Sequence, residues 1–161
     1  AEKNGWTLFS TLQNHYNLLY REDERDLIPV AKQYGVSLIP YSSLAGGHLS
    51  HTGWETNSKR SQTDKTLRQK YDRDKENDLQ IVARVDELAK RYGVSMTEMA
   101  LAWHFKKGVN APIVGATNPK HFLDAVKAVD FELSDDDVKF LEEPYHAHDV
   151  VGALNQTAHW F

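Results

Sequence analysis

Three short apolar stretches, separated by helical sequence, constrain the fold of this chain most. Residues 7–14 carry Leu8 and Leu12, residues 36–40 read Val-Ser-Leu-Ile-Pro, and residues 112–114 read Pro-Ile-Val. Each is too short for a helix and suits a covered strand. Strands that read as near-continuous apolar runs and alternate with helices predict parallel βαβ units. The expected class is therefore α/β. Three such strands make a small open sheet or a piece of a closed barrel. A complete (β/α)₈ barrel takes about 250 residues, and this chain has 161.

The helices are marked by their ends. Glu22, Asp23 and Glu24 favour a helical turn, and Pro29 places a helix start nearby that runs to Tyr34 and stops at Gly35. Residues 77–92 are amphipathic, with Ile81, Val85, Leu88 and Tyr92 on one stripe and Gly93 as the stop. Ser95 and Glu98 have capping-box spacing for a helix from Met96 to about Lys107, with Met99, Ala102 and Trp103 as its apolar side. Asn118 as cap and Pro119 at the first position predict a helix over 119–128. Ser134, followed by three aspartates, caps a last helix over 135–142 that Pro144 ends.

Residues 48–74 are polar and weakly patterned, the character of a functional or mobile loop. Lys-x-Tyr-Gly-Val-Ser occurs at 32–37 and at 90–95. The first copy leads into a strand and the second into a helix, so the two share helix-stop chemistry rather than mark a duplication. Ala1-Glu2-Lys3-Asn4-Gly5 reads as a helix end stopped by glycine, as in a chain that begins in mid-fold.

Composition excludes several classes. Hydrophobic residues make up 40% and charged residues 26%, a globular balance. The net charge of -4, without a basic stripe, gives no nucleic-acid surface. No segment reaches the roughly 18 apolar residues of a membrane span. The absence of cysteine removes disulfides, thiol nucleophiles and thiolate metal sites, and is compatible with the cytoplasm. His48 with His51, and His146 with His148, lack a third ligand at useful spacing, so no metal site is expected.

The chemistry collects where the strands end. Those ends are Gln13-Asn14, Tyr41-Ser42-Ser43 and Gly115-Ala116-Thr117. In parallel α/β folds the C-terminal strand ends converge on one ligand site. A Gln amide can bond an amide-bearing ring, and a Tyr face can stack on it. Gly115 followed by a helix N-terminus is a natural phosphate site. Together these suit a dinucleotide. Each residue also has a plain alternative: a strand-end cap for Gln13, a core aromatic for Tyr41, an ordinary strand-to-helix turn for Gly115.

Three motifs occur together in the order seen in aldo-keto reductases. They are Gln-Asn-His-Tyr-Asn-Leu-Leu-Tyr-Arg-Glu at 13–22, Pro-Tyr-Ser-Ser-Leu-Ala-Gly-Gly at 40–47, and residues 112–118; Leu-Glu-Glu-Pro-Tyr at 141–145 joins them. The chain resembles the aryl-alcohol-dehydrogenase-like branch of that family from about residue 6 to about residue 152, with 153–161 a tail. The resemblance implies the C-terminal part of a TIM barrel, strands six to eight with their helices. It implies hydride transfer between a nicotinamide cofactor, NADP in preference to NAD, and a small carbonyl or alcohol.

By the same resemblance Gln13 meets the nicotinamide carboxamide and Tyr41 stacks on its ring. Ser42, Leu44, Ala45 and Gly46 wrap the pyrophosphate, with Arg60 near that loop. Gly115 and Thr117 hold the adenosine-side phosphate, and His121 and Asp124 contact the adenosine. Ser43 stands where the family usually has proline, Gly46 where Arg is common, and His121 where Arg or Gln is common. Lys59 and Lys120 are alternative sources of charge. The family's catalytic Asp, Tyr, Lys and His come from earlier strands and loops, so this chain alone is expected to be inactive. The alternative is a non-catalytic truncated module that associates through open strand edges.

Overall fold

The computed structural model describes residues 1–54, 70–116, 118–147 and 149–150. Strand β1 (Thr11–Leu12) lies parallel to β2 (Ser37–Leu38), with Thr11 opposite Ser37 and Leu12 opposite Leu38. The backbone ladder is longer than the strands. Ser37 N donates to Ser10 O, Ile39 N to Leu12 O and Tyr41 N to Asn14 O, each at 2.9 Å, and His15 bridges to Tyr41. The first strand is thus shorter than residues 7–14, and Leu8 and Phe9 are exposed.

The expected third strand does not form as one. Residues 110–113 run beside β2, where Asn110 N and Ala111 N both donate to Leu38 O and Ile113 N donates to Pro40 O. A ladder also needs donors from β2. Pro40 has none, and Leu38 N donates to the Asn110 side-chain Oδ1 instead of a backbone carbonyl. The segment is therefore held extended by one-sided bonds.

Helix α1 (Leu27–Gln33) connects the strands, capped by the Asp26 side chain. Helix α2 (Lys75–Tyr92) ends on left-handed Gly93 and buries Ile81, Val85 and Leu88 as the stripe requires. Tyr92 falls outside the buried stripe: its ring packs edge-on against Phe131 and its hydroxyl donates to Asp137 at 2.7 Å. Helix α3 (Met96–Lys106) is buried on almost every side, as a helix at the centre of a layer must be. Ser95 Oγ caps it by accepting from Glu98 N, but only this half of the capping box forms. Helix α4 (Pro119–Lys127) has the Asn118 cap and starts on Pro119. Helix α5 (Asp135–Glu142) has the full reciprocal box between Ser134 and Asp137.

One polar cluster ties these elements together. Glu142 accepts from Trp103 Nε1 at 2.8 Å and Arg21 Nη2 at 2.8 Å, with Lys107 Nζ at 3.0 Å. Arg21 and Lys107 also pair with Glu24, which accepts from the buried Tyr16 hydroxyl. Burial alone would raise Glu24, but the Arg21 and Tyr16 hydrogen bonds and the two cations outweigh it and hold the carboxyl below its usual range. Glu142→Ala removes the acceptor for three donors on two elements. It is expected to lower unfolding free energy by about 2 kcal/mol, since charged partners keep some solvent and Glu24 remains. Urea denaturation followed by far-UV circular dichroism measures this.

Candidate cofactor-binding site

The parallel ladder brings the strand ends together. The Tyr41 to Asn14 bond sets Gln13 beside the end of β2, and the Ile113 to Pro40 bond sets Gly115 two residues beyond the same edge. Gln13 is exposed there. Tyr41 is 37% exposed. The His15 ring stacks on it at 5.2 Å, and the Lys70 ammonium lies 4.7 Å from its centroid. Burial, with the negative charge of Asp23, raises the Tyr41 hydroxyl and keeps it a neutral phenol.

Behind Tyr41 lies a buried polar group that sequence reasoning missed. Asn17 Nδ2 donates to Tyr71 OH at 3.0 Å and to Ser42 O at 3.0 Å, and Asn17 Oδ1 accepts from Leu19 N. The Tyr71 hydroxyl meets His15 Nε2 at 2.8 Å. Burial, aided by the Lys70 charge, pushes His15 down to about 3, so the ring is neutral. From the other side His104 Nε2–H donates to Ser43 O at 3.1 Å. Burial pushes His104 down to about 4, against the upward pull of that bond.

These contacts surround a loop of unusual backbone. Ser42 (φ 56), Ala45 (φ 49), Gly46 (φ 66) and Gly47 (φ 115) are all left-handed. Two of the four carry a Cβ, and such residues cost about 1–3 kcal/mol each unless the surroundings impose the conformation. Here Ser42 O is held by both Asn17 and Ala45 N, and Ser43 Oγ donates to Pro40 O. Strain of this kind concentrates at ligand clamps.

The third strand end leads into α4. Asn118 Oδ1 accepts from Lys120 N at 2.8 Å, leaving a helix N-terminus beside Gly115. His121 is exposed on the first turn. Asp124 is buried and paired within its own helix, with Lys120 at 3.0 Å and Lys127 at 3.7 Å. The Lys120 hydrogen bond leads the causes that lower Asp124 below its ordinary value. Lys120, an alternative charge for a phosphate, is thus engaged by Asp124. Arg60, Lys59 and Thr117 lie outside the described residues.

A sequence model of the Aldo/keto reductase family matches residues 1–145. The chain belongs to the aldo/keto reductase family. It is 46% identical over 159 residues to a Schizosaccharomyces pombe protein that bears the provisional name aryl-alcohol dehydrogenase, covering 96% of this chain and 43% of that protein. It is 38% identical over 154 residues to versiconal hemiacetal acetate reductase of Aspergillus parasiticus, covering 90% of this chain and 43% of that enzyme. Among solved structures it is similar to a thermostable aldo-keto reductase crystallised with the inhibitor epalrestat. The TM-score is 0.59 at 25% identity, over 84% of this chain and 39% of that one. The chain spans less than half the length of these curated relatives. The fold is that of the family's TIM barrel, of which the described residues form two strands and their flanking helices.

Aldo/keto reductases use a nicotinamide cofactor, and one feature of this chain tests the fit directly. Gly115 has no left-handed φ, and a Cβ built on it meets nothing within 4 Å among the described residues. The fold itself therefore does not require glycine there, whereas a phosphate held against the backbone would. Gly115→Ala is expected to leave unfolding free energy unchanged within about 0.5 kcal/mol, or to raise it slightly. It is expected to weaken dinucleotide binding severalfold, and denaturation curves run beside fluorescence titrations separate the two effects.

Proposed function

We propose that this chain is the cofactor-holding C-terminal part, strands six to eight, of an NADP-dependent aldo-keto reductase. The complete protein reduces aldehydes or ketones, or oxidises aryl alcohols, in the cytoplasm. The observation that carries this reading is the row of strand ends: an exposed amide at Gln13, a half-open ring at Tyr41, the left-handed 42–47 loop, and the open glycine at Gly115. In that order they match the parts of a dinucleotide from nicotinamide to adenosine.

The nicotinamide group supplies hydride when bound. The residues of this chain orient and hold it. Gln13 fixes the carboxamide, and Tyr41 supports one face of the ring and excludes water from it. Ser42, Leu44, Ala45 and Gly46 wrap the pyrophosphate, Leu44 with its backbone N–H and Ala45 and Gly46 with little side-chain bulk to keep it away. Gly115, Thr117 and the α4 N-terminus take the adenosine-side phosphate, with His121, Asp124 and Arg60 around it. No residue here is assigned a proton-transfer role. Reduction of a carbonyl by this chain alone is not expected. Quenching of intrinsic fluorescence by NADPH and by NADH tests the reading: NADPH is expected to bind tighter, and equal affinities overturn the preference.

A second reading rests on a different observation. Trp6, Leu8 and Phe9 beside β1 are 69%, 52% and 90% exposed, and the ladder described here has only one edge of β1 paired. A chain with this edge associates with itself, or with the remainder of a barrel. Size-exclusion chromatography is expected to show oligomers, and a compact monomer would favour a self-sufficient module.

A further inference from the structure

His104 lies in the last turn of α3 and is 0% exposed. Its Nε2–H donates to Ser43 O, and its Nδ1 has no hydrogen-bond partner among the described residues. The loop carbonyl is thus the only hydrogen bond of the ring there. An apolar side chain of that size would fill the same space without the cost of burying imidazole. What histidine adds to this helix is one donor aimed at one carbonyl. One residue earlier, Ser42 O is drawn inward by Asn17 Nδ2.

A trans peptide points its N–H opposite to its C=O. Drawing the carbonyls of Ser42 and Ser43 toward Asn17 and His104 turns the N–H groups of Ser43 and Leu44 away from them. Ala45 N is turned back onto Ser42 O at 2.7 Å, so the pair of donors the two clamps leave for an anion is the N–H groups of Ser43 and Leu44. Among the described residues Leu44 N makes no backbone hydrogen bond. We propose that His104, together with Asn17, is a positioning residue that aims the N–H groups of Ser43 and Leu44 at the pyrophosphate of a bound dinucleotide. This rests on the cofactor reading above, but assigns it to two buried side chains that touch no ligand themselves.

Calorimetric titration of the chain with NADPH and with 2′,5′-ADP tests the proposal. The second ligand carries the adenosine half without a pyrophosphate. His104→Leu is expected to weaken NADPH at least about fivefold, the equivalent of one lost hydrogen bond, and to leave 2′,5′-ADP unchanged. His104→Gln restores a donor at similar reach and is expected to stay within about twofold of the parent chain. Asn17→Leu tests the second clamp and is expected to show the same split. Parent-like NADPH affinity in H104L, equal weakening of both ligands, or a folded H104Q that fails to restore binding overturns the proposal. A parent chain that binds neither nucleotide overturns the cofactor reading instead.

Discussion

The carboxylate of Glu142 is the contact on which the site's geometry depends. It joins the last helix to Trp103 on α3 and to Arg21 on the segment after β1. His104 follows Trp103 directly, and Asn17 lies four residues before Arg21. The two side chains that hold the 42–47 loop are thus each carried by an element that Glu142 anchors. The Arg21 guanidinium also lies 5.0 Å from the Tyr145 ring, whose hydroxyl accepts from Arg21 N. Charged groups placed this way gain less from net attraction than from the cost of leaving any one of them unpaired. The cluster therefore acts mainly as a lock on relative position.

The loop is the place where local preference is overruled. Ser42 and Ala45 have no intrinsic reason to adopt positive φ. Their strain is offset by hydrogen bonds that buried groups make to the loop carbonyls. His15 and His104 stay neutral because burial disfavours their charged forms. A neutral imidazole serves as a donor or acceptor without carrying charge into the core. The site is built rigid from behind, while Gln13, Tyr41 and Gly115 remain open in front.

Local signals located the helices well. Asn118 and Ser134 cap α4 and α5, and Gly93 ends α2, because capping and helix-stop chemistry act within one turn of chain. The stripe Ile81, Val85, Leu88 was legible for the same reason, but Tyr92 was not: its hydroxyl has a partner in Asp137, far along the sequence. The third strand was the clearest misreading. Its apolar composition is right for a strand, but pairing depends on the donors of its neighbour, and Pro40 supplies none.

The sequence by itself determined the alternation of short apolar runs with capped helices, the family's motifs, and so the candidate site residues at the strand ends. Those properties are written in spacing and residue type, which act over a few positions. Only the tertiary structure decided which side chains hold the 42–47 loop. Asn17 and His104 lie 25 and 61 residues from their partners in that loop. A buried histidine or asparagine has no local signature. Its role comes from the one carbonyl that packing brings within reach, and packing is a property of the whole core.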